Sequence, residues 1–291
     1  MKSSLRPLFS SFLLRLAALL PFVAGPVAAL RAAEAKVMAD IVYRENASTD
    51  TALANAGRLD LYLPAEGPVR GALLWLHGGG MTGGSRSSAA TVRVARRLAE
   101  AGIAVASADY RLNPDVTFPA YIADAAAAYA WLQKNIAHHG GDARRVFIGG
   151  HSAGAYLALM VALDDAYLRE CGVDVATVAG VVAISGQTTT HFTVRAERKV
   201  KEERIIVDDA APLFHVQQRD FPFLILYAGN DLALRIEENR LLAAALRHAG
   251  SARVEEELYP DRDHSTIITK MGEPDDAVAQ RIIAFIATKL D

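Results

Sequence analysis

The chain has 291 residues, of which 52% are hydrophobic and 22% charged, and its formal net charge is −2 at pH 7. This apolar content is enough for a large core and excludes a disordered chain, and the balanced charge lacks the basic surplus that nucleic-acid binding usually needs. The single cysteine, Cys171, excludes an intramolecular disulfide framework.

The N-terminal segment, residues 1–35, has the pattern of a secretory signal peptide. A basic start and a short apolar run are followed by small residues, and Ala33-Glu34-Ala35 offers a cleavage site. Arg15 and Pro21 interrupt the apolar run, so a membrane span of about 20 residues is a poor fit. We expect the segment to be cleaved, the protein to be exported to the periplasm or beyond, and residues 36–291 to form the catalytic domain without a stable membrane span.

Short apolar runs alternate with longer helical patterns along the rest of the chain. This alternation predicts βαβ units and therefore an α/β fold with a mostly parallel central sheet flanked by helices. The predicted strands cover residues 58–63, 71–76, 103–108, 146–148, 178–184, 223–228 and 254–258.

Helices are expected between these strands. One is predicted to begin after Ser87 or Ser88, and a second follows from apolar residues that recur at helical spacing between Ile122 and Ile136. Two late helices are predicted over residues 235–249 and 275–290.

The stretch 187–221 has no clean strand and is predicted to be a small lid inserted over the sheet. Basic and acidic residues alternate within its charge-dense part, 195–209, which indicates a solvated helix with pairs of opposite charge one turn apart. Candidates for pocket walls, for which core packing is an equally good explanation, are Met81, His191, Phe192 and Phe214.

The motif Gly150-His151-Ser152-Ala153-Gly154 has the form G-x-S-x-G and stands between the predicted strand 146–148 and a helical pattern. A sharp strand-to-helix turn of this kind exposes the serine hydroxyl above the carboxyl edge of the sheet, and it needs small neighbours. Such glycines alone also occur in ordinary tight turns. The strand–turn–helix setting therefore carries the prediction that Ser152 is a nucleophile.

The glycine cluster that follows the strand 71–76 predicts an oxyanion hole. Backbone N–H groups fixed in advance stabilise the negative charge that develops on a carbonyl oxygen during acyl transfer. Gly79 and Gly80 are the expected donors together with Ala153, and His77 and Gly78 are expected to support the loop. A phosphate-binding loop would need a Gly-Lys-Ser/Thr sequence, which is absent.

Taken together, these motifs resemble those of the hormone-sensitive-lipase-like esterases, in their order and spacing. The segments that carry the resemblance are His77-Gly78-Gly79-Gly80, Asp109-Tyr110-Arg111-Leu112, Phe118-Pro119-Ala120 and Gly150-His151-Ser152-Ala153-Gly154. His151 stands where many members have an acid, so the chain is also similar to the neighbouring small carboxylesterases and kynurenine-formamidase-like enzymes. The resemblance implies an α/β-hydrolase fold and acyl hydrolysis without a cofactor. Asp109 and Arg111 are interpreted as a structural salt link.

A triad base has to follow the nucleophile and the acid in this fold. The histidines after Ser152 are His191, His215, His248 and His264. The first two precede the strand that should be followed by the acid, and the third lies near the end of a helical pattern. His264, in the loop after the strand 254–258, is therefore the predicted base.

Asp231 is the predicted acid. It follows the strand 223–228 through Gly229-Asn230, which resembles the family's G-x-D turn. Asp261 and Asp263 are local rivals, but a carboxylate so close to the base in sequence rarely has room to turn back onto it.

These residues predict a carboxylesterase that cleaves small to medium acyl esters through an acyl-enzyme. An arylformamidase or amidase with the same triad is the alternative within this chemistry, and a ligand-binding module without catalysis is the alternative outside it. We expect a small-molecule ester or amide as the partner and no nucleic acid, metal or cofactor. The sequence does not indicate an oligomeric state.

Overall fold

The computed structural model describes residues 34–44, 56–201 and 203–288. Apart from residues 34 and 35, the predicted signal peptide lies outside the described residues, so cleavage and export stay predictions. Within the described residues, no helix is long and apolar enough to span a membrane.

One sheet of eight strands runs through the described part of the chain, in the order β1-β2-β4-β3-β5-β6-β7-β8. Its strands are β1 (Lys36–Val42), β2 (Arg58–Leu63), β3 (Gly71–Leu76), β4 (Ile103–Ala108), β5 (Val146–His151), β6 (Val181–Ile184), β7 (Phe223–Asn230) and β8 (Val254–Asp263). Neighbouring strands from β4 to β8 are parallel, whereas β2 is antiparallel to both β1 and β4. The sheet is therefore mostly parallel, as predicted.

Helices cover both faces of this sheet. They are α1 (Ala89–Glu100), α2 (Ala120–Asn135), α3 (Ala153–Leu163), α4 (Asp165–Glu170), α5 (Phe192–Glu197), α6 (Arg235–His248), α7 (Thr266–Thr269) and α8 (Ala277–Ala287). The apolar sides of α2, α3 and α6 form one core with the sheet, and those of α1 and α8 form a second core on its other face. The central strands β3, β4 and β5 are buried at every residue. Side chains on one face of each strand pack in the first core, and those on the other face pack in the second.

The edge strand β1 was not among the predicted strands. Five of its first six residues, from Lys36 to Ile41, are exposed, and an edge strand that packs little on either face has no apolar alternation to reveal it. The pairing that defines β1 is instead a long-range contact with β2, in which Lys36 faces Leu63.

Strands β5, β7 and β8 extend beyond their predicted ends, and these extensions lie next to the candidate site. β5 includes Gly149 and Gly150, and β7 includes Gly229, although glycines usually indicate turns. Close packing explains two of them: a Cβ atom on Gly149 would lie 2.6 Å from the carbonyl oxygen of Val182, and one on Gly229 would lie 2.6 Å from Cα of Pro260.

The charge-dense part of the insertion does not form the predicted solvated helix, so that prediction is wrong. Helix α5 ends at Glu197, and only 8% of the Arg195 surface is exposed. The Glu197 carboxylate accepts hydrogen bonds from Asn113 Nδ2 and from the backbone N–H of Phe118, both at 3.0 Å. One charge that the sequence pattern assigns to solvent, that of Glu197, instead attaches the insertion to the loop after β4.

The turn between β5 and α3 is pressed against the end of β3. A Cβ atom on Gly154 would lie 2.0 Å from the carbonyl oxygen of Leu76, and one on Gly150 would lie 2.4 Å from the same oxygen. A backbone atom in the middle of a sheet has little freedom to move away. Only glycine therefore fits at both positions, and the small residues of the G-x-S-x-G motif have a steric cause.

We expect Gly154→Ala to lower the free energy of unfolding by about 3 kcal/mol, because the added methyl group overlaps a fixed carbonyl. The matched control is Gly83→Ala, since nothing lies within 4 Å of a Cβ atom at that position; its effect should stay within about 0.5 kcal/mol. Urea unfolding of the two variants measures the difference. Equal stabilities would show that the turn relaxes around the methyl group.

Candidate active site

Ser152 occupies the sharp turn between β5 and α3. Its backbone has φ 55° and ψ −117°, a conformation that is costly for a residue with a side chain. The turn is held because the Ser152 N–H donates to the carbonyl of Ile184 at 2.8 Å. The strain is thus balanced by packing and by a bond to the neighbouring strand β6.

His264 and Asp231 reach Ser152 from two other strand ends. His264 Nε2 lies 2.9 Å from Ser152 Oγ, and His264 Nδ1 lies 2.6 Å from Asp231 Oδ1. The structure therefore brings together all three residues that the sequence analysis proposed. In this arrangement the imidazole is placed to accept the hydroxyl proton while the carboxylate orients its other nitrogen.

The Asp231 carboxylate is enclosed and well supplied with donors. Ser185 Oγ donates to its Oδ2 at 2.5 Å, and the Leu232 N–H donates to its Oδ1 at 2.8 Å. Burial by itself raises the pKa of this carboxyl, but hydrogen bonds from His264, Ser185 and Leu232 outweigh burial, so the pKa lies below its ordinary value. Asp231 is consequently ionised at neutral pH.

Ser185 is a site residue that the sequence analysis missed. It directly follows β6 and has φ 50°, and none of its surface is exposed. A polar residue at the carboxyl end of an apolar strand was the available signal, because ligands and reacting groups gather at that edge of a parallel sheet.

Among the described residues, the side chains of the rivals Asp263 and His215 make their hydrogen bonds elsewhere than at Ser152 and the His264 ring. Asp263 Oδ1 instead accepts hydrogen bonds from the N–H groups of Ser265 and Thr266, at 2.9 and 2.7 Å. His215 Nε2 lies 2.8 Å from the carbonyl of Asp209. These contacts stabilise local turns. Asp231 and His264 therefore remain the candidates for the acid and the base.

The glycine loop after β3 lies beside Ser152. A Cβ atom on Gly78 would be 3.4 Å from Ser152 Cβ. The carbonyl of Gly78 lies 2.7 Å from His77 Nδ1, and the carbonyl of Gly79 accepts from the Thr82 N–H at 3.1 Å. Because C=O and the following N–H point in opposite directions in a trans peptide, these bonds turn the N–H groups of Gly79 and Gly80 away from His77 and Thr82.

His77 supports this loop through its ring. The ring stacks on Tyr110 with centroids 4.3 Å apart, and the Tyr110 hydroxyl donates to the His77 carbonyl at 2.8 Å. Burial lowers the pKa of His77 below its ordinary value, which favours the neutral ring. The contacts match the supporting position that the sequence predicted for His77.

The insertion is attached to the same loop. Thr193 Oγ1 donates to the Gly80 carbonyl at 2.5 Å, and a Cβ atom on Gly80 would lie 2.9 Å from the Phe192 ring. The N–H of Phe192 donates in turn to Gln187 Oε1 at 3.1 Å. Helix α5 is thus fixed against the candidate oxyanion loop, and the ring of Phe192 packs beside that loop.

Asp109 and Arg111 each form an ion pair with a residue of another element. Asp109 pairs with Arg86, and Arg111 Nε lies 2.8 Å from Asp124 Oδ2. Asp124 is completely buried and also pairs with Arg44 at 2.6 Å. Both residues therefore connect loops after β4 to other elements, in agreement with a structural interpretation.

His151 lies directly beneath the imidazole of His264. Its Nε2 is 2.8 Å from the His264 carbonyl, and the ring centroids are 4.7 Å apart. Burial, with a smaller contribution from His264, lowers the pKa of His151 to about 3. The ring is therefore neutral at physiological pH and can donate Nε2–H to that carbonyl, which helps to position the loop that carries His264.

No group of three or more His, Cys, Asp or Glu side chains is placed to hold a metal ion within residues 34–44, 56–201 and 203–288. The chemistry that this geometry offers is nucleophilic attack by an activated serine, next to backbone donors.

A family model described as BD-FAE matches residues 59–246. The chain is 32% identical over 186 residues to Esterase LipQ and 30% identical over 217 residues to Esterase LipC, both of Mycobacterium tuberculosis. These matches cover 58% and 67% of this chain but 44% and 53% of the relatives. The chain therefore spans about half the length of the curated relatives it matches.

Similar solved structures cover most of the chain. An esterase of Pyrobaculum calidifontis is 30% identical, covers 79% of this chain and 81% of its own, and has a TM-score of 0.63. A truncated carbohydrate esterase from gut microbiota has a TM-score of 0.70 and covers 88% of this chain and 97% of its own, at 17% identity, which bears on the fold alone. The predicted fold class is confirmed.

We expect His151 to make the protein sensitive to acid. In an unfolded chain a histidine takes up a proton near pH 6.5, whereas the folded His151 resists protonation down to about pH 3. Stability is therefore present above about pH 6.5 and is lost as the pH falls below it, at up to ~1.4 kcal/mol per pH unit.

His151→Gln keeps a side-chain N–H donor but cannot titrate. Between about pH 6 and pH 4, its unfolding free energy should fall less steeply than that of the wild type, by about 1 kcal/mol per pH unit. Urea unfolding across this range measures both slopes. The exposed His248→Gln is the control, and a His151→Gln slope parallel to the wild type would contradict the expectation.

Proposed function

The chain belongs to the BD-FAE family, and we propose that it is a serine carboxylesterase that works through an acyl-enzyme. The observation that carries the proposal is the chain of contacts from Ser152 Oγ to His264 Nε2 at 2.9 Å and from His264 Nδ1 to Asp231 at 2.6 Å. The resemblance to hormone-sensitive-lipase-like esterases agrees with relatives and solved structures that are named esterases.

In the first half-reaction, Ser152 Oγ forms a bond to the ester carbonyl carbon while His264 Nε2 takes the hydroxyl proton. The imidazolium that results is stabilised by the ionised Asp231 at Nδ1. As the tetrahedral intermediate collapses, the carbon–oxygen bond to the alcohol breaks and His264 returns the proton to the departing oxygen. The acyl group is then attached to Ser152.

Negative charge on the carbonyl oxygen requires donors that are already in place. We assign this role to the N–H groups of Gly79 and Gly80 and to that of Ala153 at the start of α3. The bonds that hold the Gly78 and Gly79 carbonyls support this assignment, since they direct the following N–H groups away from His77 and Thr82. Such donors are worth about 3 kcal/mol each to the transition state.

In the second half-reaction, His264 takes a proton from water, and the water oxygen attacks the acyl carbon. The tetrahedral intermediate releases the carboxylic acid, and His264 returns a proton to Ser152 Oγ. No cofactor enters the balance of either half-reaction.

Small and medium acyl esters are the substrates we propose. The insertion is short and its helix α5 is held against Gly80 by Thr193, which supports a compact acyl site rather than a wide cleft for long lipid chains. Esters are preferred to formamides in this proposal because the similar proteins are named esterases.

Labelling by a fluorophosphonate probe tests the proposed machinery. Wild-type protein should be labelled and Ser152→Ala should not. Asp231→Asn should react about 10³- to 10⁴-fold more slowly, because the amide no longer orients and stabilises the imidazole as the carboxylate does. Asp263→Asn is the matched control, since its carboxylate only accepts bonds from the turn, and its rate should stay within about twofold. Absence of labelling in folded wild-type protein would refute the serine-hydrolase proposal.

A substrate panel tests the class of reaction. Turnover of p-nitrophenyl acetate and butyrate should exceed that of the decanoate by about tenfold or more, whereas N-formylkynurenine should be a poor substrate. This expectation follows from the compact acyl site, in which a longer chain loses contacts rather than gains them. Preference for N-formylkynurenine over every ester would instead assign the site to an amidase.

A further inference from the structure

Arg235 is a buried cation without a hydrogen-bonded partner in the described residues. It begins helix α6, and only 5% of its surface is exposed. Its Nε and Nη1 atoms are enclosed and have no hydrogen-bond partner among the described residues. Glu238 Oε2 is the carboxylate oxygen paired with it, but at 3.7 Å from Nη1 it lies beyond hydrogen-bonding distance.

The nearby carboxylates are engaged elsewhere. Glu238 accepts hydrogen bonds from the Thr188 N–H at 3.0 Å and from Thr189 Oγ1 at 2.8 Å, and these bonds hold it against the segment that follows β6. Asp231 is occupied by His264 and Ser185. A buried charge whose N–H donors are unsatisfied is costly inside a protein. Because the ion pair with Glu238 is long and makes no hydrogen bond, the guanidinium of Arg235 is a group that a bound anion would stabilise.

Arg235 begins helix α6 shortly after the end of β7, at the carboxyl edge of the sheet. Ser152 follows β5 at the same edge. Helix α6 is held to the segment after β6 because Asn239 Nδ2 donates to the Gly186 carbonyl at 2.9 Å. Gly186 packs on α3, where a Cβ atom on it would lie 2.9 Å from Ala155 Cβ. Helix α6, which Arg235 begins, is therefore connected through this segment to the helix that begins after Ser152, and Arg235 interacts electrostatically with Asp231.

Electrostatic effects agree with this position. The positive charge of Arg235 adds to burial in lowering the pKa of both His151 and His191, and His151 is the residue that precedes the nucleophile. Arg195, which is 8% exposed and donates to the Thr190 carbonyl at 3.0 Å, also contributes to the lowered pKa of His191. Two buried cations thus act on the same buried histidine, His191.

We propose that Arg235 binds a carboxylate of the substrate, so that the preferred esters carry a second, ionised acid group. The inference rests on the proposed esterase function and names the substrate class of the same site. A carboxylate accepts hydrogen bonds from a guanidinium and neutralises its charge, which neither an alkyl chain nor a neutral ester does. Since Nε and Nη1 are enclosed, Nη2 is the nitrogen that we propose makes the hydrogen bond, and the charge of the whole guanidinium is neutralised through it.

Paired substrates test the proposal directly in the wild-type protein. Mono-p-nitrophenyl adipate and its methyl ester differ only in the charge at the far end of the acyl chain, and p-acetoxybenzoate and its methyl ester differ in the charge on the alcohol side. In one of the two pairs, kcat/KM should favour the carboxylate by about 10- to 100-fold, the range expected for a hydrogen-bonded charge pair. The pair that shows the preference identifies the side of the ester that Arg235 contacts.

Arg235→Met should abolish this preference while leaving turnover of the neutral methyl esters within about threefold. Arg235→Lys should recover part of it, because the charge remains but the planar fork of donors is lost. Arg240→Met is the matched control: it removes the same charge from an exposed position in the same helix and should leave the preference unchanged. Thermal unfolding of Arg235→Met should show a Tm equal to or above that of the wild type, as expected for a charge kept for binding rather than for stability.

Two results would overturn the proposal: a wild type that does not favour the carboxylate in either pair, or an Arg235→Met variant that keeps the wild-type preference. A wild type that hydrolyses none of the four esters would instead refute the esterase function itself, and with it this inference. Hydrolysis of the neutral esters therefore separates failure of the function from failure of the substrate class.

Discussion

The close approach of the Ser152 turn to the end of β3 is the constraint on which the rest of the site depends. Two glycines of the turn leave no space for a side chain against the Leu76 carbonyl, and the strained conformation of Ser152 persists because the central strands cannot move apart. The same strand end continues into the glycine loop, so one steric contact fixes both the proposed nucleophile and the loop that we propose supplies the backbone donors. Rigid placement of this kind is how an enzyme supplies stabilisation to a transition state without reorganising.

Hydrogen bonds from outside the reacting groups complete this placement. Ser185 holds the carboxylate of Asp231, and Thr193 of the insertion holds the carbonyl of Gly80. His151 lies under the loop of His264. These residues can affect the reaction without contacting a substrate, because each one limits where a reacting group or its loop can move. The insertion therefore takes part in the scaffold of the proposed site.

The charges of the site follow one rule, which is that burial favours the neutral form unless a partner compensates. For His77 and His151, burial outweighs the nearby carboxylates Asp109 and Asp231, and their pKa values fall. Asp231 has several donors, and its pKa falls despite burial. Arg235 is the exception, because a guanidinium hardly ever loses its proton in a protein. Its charge therefore stays in place, and we infer from it that the substrate carries a carboxylate.

The sequence by itself determined the elements that depend on local pattern: the buried strands, the G-x-S-x-G turn, and the order in which Ser152, Asp231 and His264 occur. Local pattern was enough for the strands and the turn because strand burial and turn geometry depend on neighbouring residues. The assignment of Asp231 rested in addition on the resemblance to the family's G-x-D turn. Only the tertiary structure decided that β1 is a strand, that Ser185 supports Asp231, and that Arg195 and Arg235 point inward. Edge pairing, contacts between distant strand ends and the burial of a charge depend on which segments meet in space, and residue spacing along one chain does not carry that information.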